Sequence, residues 1–179
     1  MYIWFGTNID DSILNFKSNF FNIADEYKAI SQFKFHPAHI SLKISFEIND
    51  EMFENISNDV TEYFKTVRPF EVQSDKIEIE NSILWLRWKN NSNLEKIHLD
   101  LCNLMLNKYK VPLHQFDYEY KFHTTLFVEA CDLNENLLKK VLELEIPQKI
   151  NIENLFVGCS PDNFSENYKI YKSIDLRSV

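Results

Sequence analysis

Two glycines, five prolines and three cysteines are all that this 179-residue chain holds of the residues that punctuate or cross-link a backbone. So little glycine and proline excludes a collagen-like or low-complexity segment, and no linker divides the sequence. Cys102, Cys131 and Cys159 stand apart with no C-x-x-C spacing, which argues against a zinc ribbon or a disulfide framework. They read as buried free thiols in a reducing cytosol, and neither Cys102 nor Cys131 has an adjacent base to make it a nucleophile. No stretch of ten residues lacks Asp, Glu, Lys and Arg, so no segment is apolar enough to span a bilayer. The opening MYIWFGTNIDD lacks the charged start and long apolar run of a signal peptide, and a cytoplasmic protein without a membrane partner is expected. Basic charge is also scarce: 19 Lys and Arg face 27 Asp and Glu, a net charge of −8. That excludes a broad basic platform for long duplex nucleic acid but not a small anion in a locally positive cleft.

What the chain does have is apolar and aromatic. Apolar residues make up 45% of it, fifteen of them Phe, enough for one compact domain with a substantial core. Periodicity predicts short strands alternating with amphipathic helices. Strands are expected at 2–5, 39–48, 70–80, 83–88, 118–128, 149–158 and 168–176. Helices are expected at 10–30 (stripe Ile13, Phe16, Phe20, Ile23, Tyr27), at 49–67, at 93–109 (Leu94, Ile97, Leu101, Leu104, Met105 inward) and near 133–144. The programme runs twice, over roughly 1–80 and 81–179. Trp4 precedes His39 by nearly the interval that separates Trp85 from His123, and Asp50-Glu51 and Asn134-Glu135 head matching helices. Two such half-domains usually pack about a pseudo-twofold axis, which would set equivalent positions face to face.

The equivalent positions that carry chemistry are His39-Ile40-Ser41-Leu42 and His123-Thr124-Thr125-Leu126. On a strand, alternate side chains share a face. His39, Ser41 and Lys43 then point one way and Ile40, Leu42 and Ile44 toward a core; Lys121, His123 and Thr125 form the second set, with Thr124 a small intruder on the apolar side. Two imidazoles can divide acid–base work near neutral pH, with limbs expected at about 6 to 7. Two hydroxyls can hold the non-bridging oxygens of a phosphoryl group, and Lys43 or Lys121 can draw in the anion. The chemistry indicated is phosphodiester cleavage without a metal or other cofactor. His36 and His39 superficially suggest a metal pair, but no third ligand stands out; His98 and His114 read as surface or boundary residues. Trp4 and Tyr168 are the leading candidates for stacking on a base, with Trp85, Tyr118, Tyr120 and Tyr171 also suited by chemistry.

These two H-x-[ST]-h motifs, one in each half of a duplicated chain of this size, resemble the two-histidine (2H) phosphoesterase superfamily, which includes LigT-like and 2′-5′ RNA ligase-like proteins and cyclic phosphodiesterases. The resemblance covers essentially the whole chain. It implies an α+β fold of two pseudo-symmetric lobes, with mainly antiparallel sheets lining a central cleft and helices outside. It also implies His39 and His123 as the catalytic pair and Ser41 and Thr125 as phosphate-contacting hydroxyls. The substrate it implies is a small nucleotide or RNA end with a 2′,3′-cyclic phosphate or a 2′-5′ linkage, and the protein is expected to be a monomer. Cleavage of signalling oligonucleotides, ligation of RNA ends and non-catalytic nucleotide binding are the alternatives. One departure is visible: Ala38 separates Pro37 from His39, where the family motif often reads Pro-His.

Overall fold

A computed structural model describes residues 1–162 and 167–178. In chain order its elements are β1 (Tyr2–Asn8), α1 (Leu14–Glu26), β2 (His39–Glu47), α2 (Asp50–Phe64), β3 (Phe70–Glu80), β4 (Ile83–Trp88), α3 (Ser92–Tyr109), β5 (His123–Phe127), α4 (Glu135–Leu142), β6 (Lys149–Ile152), β7 (Asn154–Ser160) and β8 (Lys169–Asp175). Local chemistry explains several boundaries. The side chains of Asn91 and Asn134 accept hydrogen bonds from the first free N–H groups of α3 and α4. The β3–β4 hairpin turns through Asn81 and Ser82, whose φ values of 50° and 64° meet the demand of a two-residue turn without glycine.

The strands form two antiparallel sheets of four, ordered β2-β1-β7-β8 and β5-β4-β3-β6. Each sheet draws strands from both halves of the chain: β7 pairs with β1, and β3 pairs with β4. The strand expected over 149–158 is therefore two. Glu153 separates β6, paired with β3, from β7, paired with β1, because one continuous strand cannot serve both sheets. A single cluster of buried side chains, from Ile3 to Leu176, runs through both sheets and their helices.

Both glycines lie in the first sheet, on the strands beneath the first histidine motif. A Cβ on Gly158 would collide with the Trp4 indole at Nε1, and one on Gly6 would fall 2.6 Å from the Phe156 ring. Only glycine lets Trp4 lie this close to β7.

The strand expected over 118–128 begins only at His123. A 3-10 turn at Gln115–Asp117 takes up the chain before it, and the reason is electrostatic. Asp117 Oδ2 accepts from Lys43 Nζ at 2.7 Å and from the His114 N–H at 2.9 Å, and both partners of the ion pair are buried. On β2 this breaks the expected alternation. A register shift between the Ile3 and Phe5 pairings puts Lys43 inside and turns Ile44 to the cleft rather than the core. His98, expected at the surface or boundary, is buried, with Nδ1 2.9 Å from the Leu42 carbonyl and Nε2 2.9 Å from the Asp117 carbonyl.

Removing one partner of such a pair strands the other charge in the interior. Lys43→Met should cost about 3–5 kcal/mol in a urea titration, and Lys43→Met/Asp117→Leu much less. Full stability in the single variant would show that the pair does not constrain the fold.

Candidate active site

The edge strands of the two sheets, β2 and β5, come together, and His39, Ser41, His123 and Thr125 line one cavity of about 440 Å³ between them. Each histidine is held by the same two devices. The first is a hydrogen bond from Nδ1 to the carbonyl two residues upstream: Pro37 for His39 at 3.0 Å and Lys121 for His123 at 2.7 Å. With Nδ1–H donating, Nε2 is the nitrogen left to exchange a proton. The second is a tryptophan. Trp4 meets His39 edge-on with centroids 4.7 Å apart, and Trp85 stacks on His123 at 4.1 Å and 18°. Aromatic contacts of this kind are each worth about 0.5–1.5 kcal/mol beyond burial, and here they fix the rotation of the imidazole.

Burial also sets the charge of the pair. It lowers His39 to about 3, helped by the neighbouring His36 and by His123 itself, against the pull of the Pro37 carbonyl. His123 is lowered to about 4, again chiefly by burial, with Arg87 adding to the effect and the Lys121 carbonyl and Glu80 opposing it. Both values lie below the ordinary histidine range of about 6 to 7, so the unliganded site holds two neutral imidazoles at neutral pH.

The structure brings together His39, Ser41, His123 and Thr125 and separates the lysines from them. Lys43 borders the cavity, but its ammonium is committed to Asp117. Lys121 is paired with Glu80 beside the neighbouring cavity. Tyr168 lines the cavity and packs edge-on against Trp4 at 5.5 Å. Trp4 is only 4% exposed, so it supports His39 rather than offering a free stacking face. Of the thiols, Cys102 is buried and pushed up to about 11, chiefly by that burial, whereas Cys131 is exposed rather than buried as expected.

Three neighbours of the site come close to its histidines and hydroxyls in ways the sequence reading does not place. His36 packs on His39 with centroids 4.8 Å apart and is itself lowered by burial. Its position three residues before His39 is the available signal. Tyr120 lines the cavity and stacks on His98 at 4.3 Å. Arg87 pairs directly with His123 in the β4–β5 ladder. Thr124, the intruder on the apolar side, is buried and accepts from Trp88 Nε1 at 3.0 Å.

One grouping among the described residues has metal-ligand chemistry: His98, Cys102 and Asp117, with ligand atoms within 4.8 Å of one another. Both His98 nitrogens already face carbonyls, and Lys43 supplies the cation for Asp117. These residues form a polar anchor in the interior and do not fit a metal centre.

Two edge strands that each present a histidine and a hydroxyl to one cleft define a class of protein. The profile of the 2′-5′ RNA ligase superfamily matches residues 18–158, and the chain belongs to that family of two-histidine phosphoesterases. Solved structures share the fold. TT0787 of Thermus thermophilus superposes with a TM-score of 0.66 at 12% identity, covering 99% of this chain and 98% of that one. E. coli LigT complexed with NADP+ gives 0.60 at 13%, covering 97% and 96%. Usb1 of Kluyveromyces marxianus gives 0.50 at 11%, covering 94% and 95%. No curated protein matches the sequence. No helix among the described residues is long and apolar enough to cross a membrane.

The lowered histidines make stability depend on pH with a definite sign. As pH falls below the ordinary value of 6.5, the unfolded chain takes up protons before the folded site does. The stability they contribute is complete above about pH 6.5 and is lost on the way down toward the folded values. Between pH 6.5 and 5, where ordinary carboxylates scarcely titrate, wild-type stability should fall, and in His39→Gln/His123→Gln the slope should be shallower. Equal slopes in chemical denaturation would contradict the half-buried, neutral pair.

Proposed function

We propose that the protein is a phosphodiesterase that hydrolyses a 2′,3′-cyclic phosphate or a 2′-5′ linkage in a small nucleotide or RNA end. One observation carries the reading: two imidazoles, each tied at Nδ1 and free at Nε2, share one cavity with two hydroxyls. Nε2 of one imidazole takes a proton from water as the water oxygen attacks phosphorus. The bond to the leaving oxygen breaks, and that oxygen takes a proton from Nε2–H of the other. Ser41 and Thr125 hydrogen-bond the non-bridging oxygens, on which charge grows in the transition state. A bound phosphate anion between the rings raises their proton affinity, so the acid acquires its proton with the substrate. Proton transfer and hydroxyl donors do the work here that a Lewis acid does elsewhere. The protein works as a cytoplasmic monomer, consistent with its free thiols. E. coli LigT, which shares the fold, has been solved with nucleotides, among them NADP+ and 3′-AMP.

The test is turnover of 2′,3′-cyclic nucleotides and 2′-5′ dinucleotides. His39→Ala and His123→Ala should each lose about 10²–10⁴-fold in kcat/KM, and the double variant little more, because both groups act in one transition state. Ser41→Ala and Thr125→Val should lower the rate while keeping the shape of the pH profile. Either histidine variant retaining nearly full activity would rule the mechanism out, as would activity lost to a chelator and restored by zinc, magnesium or manganese.

The two kinetic pH profiles should also separate. kcat/KM reports the free protein, whose histidines are lowered to about 3 and about 4, so it should decline as pH rises through the neutral range. kcat reports the complex, and its alkaline limb should lie at higher pH. Coincident limbs between pH 6 and 7 would show that burial does not set the proton affinity of the pair.

A further inference from the structure

A second cavity of about 530 Å³ opens beside His123, with a chiefly apolar lining. It adjoins the histidine cavity, since Ile44, Ile83, Tyr120 and His123 border both. We infer that this cavity is the nucleobase subsite, so that the nucleoside of the bound substrate lies on the His123 side of the phosphate, against the aromatic wall of Phe116, Tyr118 and Tyr120. The inference rests on the phosphodiesterase reading of the histidine cavity.

Three observations select a base as the occupant. First, the wall presents aromatic surface to solvent in a chain that buries most of its large aromatics: Phe116 is 49% exposed and Tyr118 74%. They are not on a loose loop. The 3-10 turn at Gln115–Asp117 is fixed at one end by His114 Nδ1, which accepts from the Phe116 N–H at 3.3 Å, and at the other by the Lys43–Asp117 pair. An aromatic surface mounted on a fixed turn can stack without losing much freedom of its own. Second, the rim repels phosphate. Glu80 and Glu119 line it, and Lys121, the cation there, is paired with Glu80. A neutral ring fits where an anion does not, and the amides of Asn81 and Gln115 offer donors and acceptors for its edge. Third, the described residues on the His39 side of the cavity leave no comparable apolar face: His36, Tyr168 and Trp4 border it there, and Trp4 is pressed against Gly158 and only 4% exposed.

The experiment is a calorimetric titration with adenosine 3′-monophosphate and with ribose 3-phosphate, which shares the phosphate and sugar but has no base. One stacked base should make the nucleotide bind roughly 5–150-fold tighter to the wild type. Phe116→Ala and Tyr118→Ala, both at exposed positions, should each move that ratio toward one while leaving ribose 3-phosphate affinity unchanged. Equal binding of the two ligands by the wild type would overturn the inference. So would a ratio that survives both substitutions, which would place the base elsewhere. Failure of both ligands to bind would remove the subsite together with the phosphate site. Because the readout is binding, it separates from the catalytic reading: the ratio can hold in a protein that turns over no cyclic phosphate, and can be absent in one that does.

Discussion

The buried ion pair between Lys43 and Asp117 is the contact on which the site depends. It joins β2 of the first half to the segment that leads into β5 of the second, and His98 adds a bridge between the Leu42 and Asp117 carbonyls. As a source of net stability such a pair is a poor choice, because desolvating two charges consumes most of their attraction. Its effect is on placement. An apolar substitute could pack in many ways, whereas an ammonium must find its carboxylate, and finding it aligns the edge strands that carry His39 and His123. The break in the alternation of β2 follows from the same demand, as does the late start of β5.

With the strands aligned, each half of the chain supplies the same parts to the site. Each lobe gives a histidine, a hydroxyl two residues on, a carbonyl two residues back and a tryptophan against the ring. The copies differ in how these parts are used. Trp4 meets its histidine edge-on and Trp85 face-on, and His36 packs on His39 while an apolar cavity opens beside His123. Two matching halves thereby hold an asymmetric site, which suits the proposed cleavage of a phosphodiester with one attacking and one leaving oxygen.

Much of this was legible in the sequence, and what was not has a physical cause. The helices, the β3 and β4 strands and the paired motifs announce themselves through periodicity and repetition, which depend on local chain geometry. The exchange of β3 and β7 between sheets leaves no local trace, because a strand looks the same whichever neighbour it pairs with. Alternation puts Lys43 on the site face, and only a partner 74 residues away explains its position inside. The burial of His98 leaves no local trace for the same reason: the two carbonyls its ring faces come from distant parts of the chain. The aromatic count of the sequence could not separate Trp4, which is core, from Tyr118, which is surface, since that distinction belongs to the packed structure.

The central claim is that His39 and His123 form one proton-exchanging unit around one phosphate. Nitrogen-15 NMR of the imidazoles tests it directly, because the chemical shifts report the tautomer and protonation state of each ring. At neutral pH, without ligand, both should be neutral and protonated at Nδ1, as their carbonyl bonds dictate. Saturating inorganic phosphate should then shift Nε2 of both rings together and raise their proton affinity. Two rings that respond at different ligand concentrations, or one that ignores phosphate altogether, would contradict the account.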